Sequence, residues 1–532
     1  MEMCFIYPPL SVNEYPHLAL PLLKGYLKKQ GIHCLIKDYN VEIMDIILTE
    51  RMEKIQEYFR ERGIRISLKE IQNRYKNAKN VFLLKERSGM EDMAQRLINS
   101  YLKIAGANIS EVCFQPDSFY QIKNEYVRTD INWNTNPIIS YIRDIVLPYF
   151  SKKSFKVIGI SVSFTSQIYY ALILGRELKK VLPDCKVVMG GPQISLFWKL
   201  FMDYRPFHNS FDALIYGMGE IALEKYLFTI YTNGDLSKVP NLIYLGSDGQ
   251  VIKNDERILE NMENIPIPDF SDLPLDKYIY GKLPYQMSRG CYWGKCAFCS
   301  YRNNNNYIIR KVDTVAEELS EMEKRYGRHI FQFIDDAIPP TILDKFAETI
   351  IRKNMKIRYD AYLRLDAGFT IEKCRLLAES GLKNVLFGFE SANQRVLNLM
   401  KKGNSPDNMV QVMKNMKKAG IQSILSCLIG FPTETREEAL ESIRFLKENR
   451  EWYYWVYLVH FGLISDMCKN SDIYGIYDVD YNNLIRYDDS GFAALGYPYK
   501  NSVGMTTAEA YEIIKEGRKE LGITISEDNF FS

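Results

Sequence analysis

Two successive series of alternating strand and helix signals predict an α/β chain: an amino-terminal doubly wound, Rossmann-like unit, then a partial (β/α)6 barrel. Three observations carry this. Short apolar runs alternate with amphipathic helical stretches over about 1–240 and again over about 284–465. Between them, at 241–283, the pattern switches to a hairpin and a proline-rich linker. At 532 residues, the chain is also too long for one ordinary core.

The elements follow in order. MCFIYPPL reads as a buried strand ending at two prolines, HLALPLLKGYLKKQG as a helix stopped at Gly31, and HCLIKDY as a second strand. From about 41 to 150 the chain is richer in charged and amide side chains and reads as a helical insertion. KVIGISVSF, KVVMGGP and ALIYGMGE are further strands, and SQIYYALILGRELKKVLP is a helix between the first two. NLIYLGSDGQVIKN is a hairpin around Asp248-Gly249. Pro266, Pro268 and Pro274 mark the linker.

The second series has strand candidates PYQMSR, HIFQFID, KIRYDAYLR, NVLFGFE, QSILSCLIG and WVYLVHFG, separated by amphipathic helices. Such a barrel places its chemistry at the carboxyl ends of the strands. Asn303–Asn306 reads as a polar loop, and 466–532 as a carboxyl-terminal extension.

Composition narrows the class. Hydrophobic residues make up 46% and charged residues 25%, as in ordinary globular proteins. A net charge of +2 with no basic block does not suggest a nucleic-acid partner. No apolar run is long enough to span a bilayer, and MEMCFIYPPL does not read as a signal peptide. The cytoplasm is therefore the expected compartment, and the ten cysteines are expected to be thiols or metal ligands. Five histidines argue against a histidine-rich metal site. The 37 tyrosines, including Tyr453, Tyr454 and Tyr457, are assigned mainly to packing.

The chemistry concentrates in SRGCYWGKCAFCS, where Cys291, Cys296 and Cys299 follow C-x4-C-x2-C spacing in one loop after the first barrel strand. Three thiolates in a loop suit a soft metal centre. Structural zinc would need a fourth ligand, and Cys374 sits in a helical pattern, reading as buried. A redox Cys296/Cys299 pair leaves Cys291 unexplained. Three unrelated buried thiols do not suit a glycine- and aromatic-rich loop. An iron–sulfur cluster with one open iron fits best.

This loop resembles that of the radical S-adenosylmethionine superfamily, whose usual spacing is C-x3-C-x2-C with an aromatic residue before the last cysteine; Phe298 matches that aromatic. The first gap is one residue longer here. The resemblance implies a [4Fe–4S] cluster whose fourth iron chelates S-adenosylmethionine. It further places Asp335 (beside Asp336), Arg364, Glu390, Ser391, Gly430, Pro432 and Glu434 at strand ends around that cofactor. GISVSF, MGGP and YGMGE resemble the cobalamin-binding domain fused to many such enzymes. That implies Ser161, Ser163, Gly190, Gly191, Gly217, Gly219 and Glu220 along cobalamin. The D-x-H-x-x-G motif that supplies a lower cobalt ligand in some cobalamin proteins is absent, and His17 reads as an ordinary helix-start histidine.

The implied activity is a cobalamin-dependent radical methyltransferase acting on an unactivated centre of a small-molecule or peptide substrate. An electron donor such as flavodoxin or ferredoxin would serve it. The alternatives are cyclisation, rearrangement or oxidation with the same cofactors, and a non-enzymatic metal-stabilised binding protein.

Overall fold

Seven strands form the amino-terminal sheet in the order β2-β1-β3-β4-β5-β6-β7. They are β1 (Glu2–Tyr7), β2 (His33–Asp38), β3 (Val157–Ser161), β4 (Lys186–Gly190), β5 (Ala213–Ile215), β6 (Leu242–Leu245) and β7 (Val251–Lys253). The computed structural model describes residues 2–9, 11, 15–43, 117–128, 136–257, 261–278, 280–300, 307–449, 453–459, 461–462, 464–486 and 495–521. Most of the expected insertion at 41–150, the Asn303–Asn306 loop, and the side chains of Tyr453 and Tyr454 lie outside these residues.

The first five strands are parallel, with β1 paired to β2 on one side and β3 on the other. Chain direction across the sheet therefore reverses at β1/β3, where a doubly wound sheet opens a crevice. α1 (Ala19–Lys29), α2 (Phe119–Val127), α3 (Ile168–Val181), α4 (Pro192–Asp203) and α5 (Glu220–Thr232) accompany the sheet. All of β3 is buried, as expected of a parallel strand covered on both faces. Alternation along β1 sends Met3, Phe5 and Tyr7 to one core and Cys4 and Ile6 to another. The first of these cores runs on into the barrel.

The Asp248-Gly249 hairpin, expected as part of the linker, instead extends this sheet: β6 pairs antiparallel to β5, and β7 to β6. It covers what would otherwise be an open edge on the short strand β5.

The second sheet runs in the order β15-β14-β13-β12-β11-β8, every pair parallel. It begins with β8 (Lys282–Tyr285), followed by the two-residue ladder of β9 (Ser288–Arg289) with β10 (Ile308–Ile309). Then come α6 (Val312–Tyr326), β11 (Ile330–Phe333), α7 (Pro340–Arg352), β12 (Arg358–Arg364), α8 (Ile371–Glu379) and β13 (Leu382–Glu390). α9 (Gln394–Leu399), α10 (Pro406–Lys418), β14 (Gln422–Ile429), α11 (Arg436–Glu448) and β15 (Tyr453–Leu458) complete the series. The expected strand PYQMSR breaks after Tyr285 because the buried Asp335 carboxylate accepts the Met287 and Ser288 amides and turns the chain. The last strand begins earlier than WVYLVHFG suggests. In the extension, α12 (Thr507–Glu520) packs on β15 and α11, and buried Arg518 donates to the Val456 carbonyl at 2.7 Å.

Polar joints tie the two halves together. Lys24 of α1, almost fully buried, lies 2.5 Å from Asp272 and 3.5 Å from Asp269 of the linker, and Lys28 lies 2.9 Å from Asp269. The Tyr278 hydroxyl donates to Asp38 at 2.6 Å. Truncating one partner of a buried ion pair leaves the other desolvated and alone. Lys24→Ala is therefore expected to cost about 3 kcal/mol, read as lower thermal and denaturant midpoints; unchanged midpoints would refute the joint.

Candidate functional site

The cysteine loop lies at the carboxyl end of the barrel strands, bracketed by β9 and β10. Cys291, Cys296 and Cys299 are all half-buried free thiols. Among the described residues no three metal-ligating side chains are drawn together into a closed metal site, so the chemistry of the donors decides the fit. Three soft thiols on one glycine-bearing loop, with Gly294 at φ +59° and two cations near Cys296, suit an anionic cluster.

Those cations are Arg364 and Lys402. Arg364 ends β12; its Nη1 lies 3.9 Å from Cys296 Sγ, and its Nη2 donates to the Lys402 carbonyl (2.7 Å) and Asn404 Oδ1 (3.2 Å). Trp293 lies 4.4 Å from the guanidinium and donates Nε1–H to the Lys401 carbonyl at 2.9 Å. Trp293 belongs to the widened Cys291–Cys296 gap, so the gap builds a plate against Arg364. Tyr292 of the same gap donates to Asp366. Burial raises the Cys296 thiol pKa, while Lys402 and Arg364 pull it down.

Lys402 is buried and pairs with Glu390 at 2.7 Å. Burial alone would discharge it; Glu390 and Cys296 outweigh that and hold its pKa above the ordinary value. Glu390 adopts φ +67° at a register shift between β13 and β14. A non-glycine residue there stores local strain, a feature that gathers at functional sites.

The remaining barrel residues named from sequence divide by partner. Phe298 is half-buried, with Lys402 Nζ 6.0 Å from its ring centroid. Ser391 is fully buried and bonds Ser442 and the Asn393 amide. Asp335 is occupied by Met287 and Ser288; burial lifts its pKa to about 7. Gly430, at φ +85°, and Phe431 give their amides to Glu434 Oε2, while Pro432 is buried between. Burial pushes Glu434 up to about 8, and its Oε1 has no hydrogen-bond partner. Cys374 is buried in α8, away from the loop. Lys402 and Trp293 escaped the sequence reading; a lysine just before Gly403 looks like any surface helix end.

On the amino-terminal side, Ser161 pairs with Gly190 across β3/β4, and Val162 donates to the Gly190 carbonyl. A Cβ on Gly191 would come within 2.6 Å of the Val162 carbonyl oxygen, so Gly191 serves backbone packing. Ser163 Oγ lies 3.0 Å from His17 Nε2, and His17 stacks on Tyr7 at 4.9 Å, placing it at the β1/β3 switch point. Burial lowers its pKa to about 4, and its Nδ1 has no hydrogen-bond partner. Gly217 and Gly219 lie instead beside Glu256 and Leu23. Glu220 is buried and reaches Arg289 of the barrel at 2.5 Å; burial raises its pKa, but Arg289 outweighs that and holds it down.

Comparison with known proteins bears on this geometry. Residues 285–446 match the Radical SAM superfamily model. The barrel is a Radical SAM domain. An uncharacterized methyltransferase of Pyrococcus horikoshii is 32% identical over 55% of this chain and 64% of its own length. The anaerobic magnesium-protoporphyrin IX monomethyl ester cyclase of Rubrivivax gelatinosus is 26% identical over 54% of this chain and 53% of its own. The chain thus spans between half and two thirds of these relatives. The radical S-adenosylmethionine methyltransferase TsrM of Kitasatospora setae, solved with cobalamin and a [4Fe–4S] cluster, superposes with a TM-score of 0.63 at 14% identity, over 98% of this chain and 88% of that one. This likeness shows that the Radical SAM domain and the Rossmann-like sheet share one known two-part fold. No helix among the described residues is long and apolar enough to cross a membrane.

The carboxyl of Glu434 gives a pH test. Its folded pKa, about 8, exceeds the ordinary 4.5, so between these values the folded chain holds a proton that the unfolded chain releases. Stability from this group is complete at low pH and is lost as pH rises toward 8. Cofactor-free wild-type protein should therefore lose melting temperature across that window, and Glu434→Gln, which mimics the neutral acid, should lose less. Equal slopes would place a charged carboxylate there.

Proposed function

We propose that the chain is a cobalamin-dependent radical S-adenosylmethionine methyltransferase acting on an unactivated centre of a small molecule or peptide. The observation that carries this reading is a three-cysteine loop at a barrel mouth, with Cys296 against Arg364 and close to the buried Lys402–Glu390 pair, in a chain that also carries a switch-point sheet. The methyltransferase names of the Pyrococcus relative and of the Kitasatospora structure support the reaction class.

When bound, S-adenosylmethionine on a three-thiolate [4Fe–4S] cluster would supply a radical hydrogen abstractor, and cobalamin a methyl carrier. The chain's own residues would hold and shield these groups. Cys291, Cys296 and Cys299 would ligate iron. Arg364 and Lys402 would balance the cluster's negative charge from within the protein, where attraction is screened less than in water. Phe298 and Trp293 would exclude water from the loop, and Glu390 would keep Lys402 charged and fixed. Asp335, Ser391, Gly430, Pro432 and Glu434 would shape the cofactor's surroundings mainly through the turns they hold. Ser161, Ser163, Gly190 and Gly191 would line cobalamin at the sheet's carboxyl edge. Gly217, Gly219 and Glu220 would contribute from the neighbouring strand end. A flavodoxin- or ferredoxin-type donor would deliver the electron.

A second reading, ring closure or oxidation with the same cofactors, draws on the likeness to the cyclase of Rubrivivax gelatinosus. Product mass separates the two, because only methylation adds a methylene unit. Anaerobically reconstituted protein should contain four irons and four sulfides per cluster together with cobalamin, and should release deoxyadenosine on reduction. Alanine at Cys291, Cys296 or Cys299 should remove cluster and cleavage together. Cleavage without bound cobalamin would sink the methyltransferase reading, and full cleavage by any cysteine variant would remove that residue from the site.

A further inference from the structure

One ion pair runs from the amino-terminal sheet directly to the cysteine loop. The Lys24, Lys28 and Tyr278 joints all end on linker residues. Glu220, by contrast, is the first residue of α5 and follows at once on the turn that carries Gly217 and Gly219. Its Oε1 lies 2.5 Å from Arg289 Nη2, and the two side chains are only 3% and 14% exposed. Arg289 ends β9 and is separated from Cys291 by Gly290 alone, which takes φ +76°.

Little else among the described residues answers either charge. Arg289 also donates to Gln286 Oε1, a neutral group, at 3.4 Å. Oε2 of Glu220 is buried with no hydrogen-bond partner. A carboxylate in the first turn of α5 is favoured by the amino-terminal end of the helix dipole, which ties Glu220 to the turn before it. Arg289 is tied in its own way, paired across the β9–β10 ladder to Ile308 where the cysteine loop is bracketed. Separating two desolvated charges is strongly unfavourable. A shift of the Gly217–Glu220 turn therefore carries Arg289 with it, and with Arg289 the strand end from which Cys291 departs.

We propose that Glu220 and Arg289 are positioning residues that couple the two cofactor sites: cobalamin seated at the Gly217–Glu220 turn favours the cluster-ready cysteine loop, and the cluster favours cobalamin. The two effects are equal, because a coupling free energy belongs to the pair of sites and is reciprocal. Glu220 acts on cobalamin through the turn it anchors and on the cluster through Arg289. This rests on the Proposed function for both cofactors, and its test reads binding rather than turnover.

Full-length protein, before and after anaerobic cluster reconstitution, is dialysed to equilibrium against hydroxocobalamin, and bound cobalt is quantified. The reconstituted wild type should bind about fivefold or more tightly than the cluster-free chain. Glu220→Gln and Arg289→Gln, which keep the side chain's reach and remove one charge, should each bring that ratio to about one; either serves if the other does not fold. Arg289→Lys, which keeps the charge, should recover part of the ratio. A merely structural joint would lower affinity in both forms by one factor and leave the ratio at its wild-type value, and that result would overturn the inference. Equal affinities in the two wild-type forms would also overturn it, while leaving cobalamin binding in place. Hydroxocobalamin held by neither form would defeat the cobalamin reading and this inference together.

Discussion

Charge at the mouth of the barrel has to be balanced inside the protein, and much of the site follows from that constraint. Arg364 and Lys402 converge on Cys296, and neither can be left in a buried place without a partner. Glu390 answers Lys402, at the expense of a left-handed backbone and a register shift in β13. Asn404 and the Lys402 carbonyl answer Arg364, and Trp293 covers its face. The longer first cysteine gap thus gains a structural meaning, since its extra length carries the aromatic plate that holds the guanidinium in place.

The same loop is tied down from the carboxyl-terminal side. The Ala297 amide donates to the Met400 carbonyl, and the Met467 amide donates to the Ala297 carbonyl. Lys401 reaches Asp466 at 2.6 Å, and Asp466 also accepts from the Tyr474 hydroxyl. The segment after the last barrel strand therefore buttresses the cysteine loop. The amino-terminal half is joined to the barrel through Glu220–Arg289 and to the linker through Tyr278–Asp38.

The alternation of strands and helices was legible because burial repeats with a short period that a single sequence displays. The three cysteines were legible because their spacing is local. The partners of the other site residues were not, since they arrive from far along the chain. Asp335 reads as a strand-end acid, yet it spends itself on the amides of Met287 and Ser288. Ser391 reads as a cofactor contact, yet Ser442 takes its hydroxyl. Glu220 reads as the end of a glycine turn, yet Arg289 of the other half claims it. Lys402 carried no local mark of burial, and the Asp248-Gly249 hairpin gave no sign that β5 needed an edge partner.

The central claim is that three thiolates leave one iron of a [4Fe–4S] cluster open for S-adenosylmethionine. The most direct measurement is electron–nuclear double resonance on the reduced, iron-57-enriched protein with S-adenosylmethionine labelled at its amino nitrogen and carboxylate oxygen. The account predicts one distinct iron and hyperfine coupling to both labelled atoms. Four equivalent irons with no coupling to either label would contradict it.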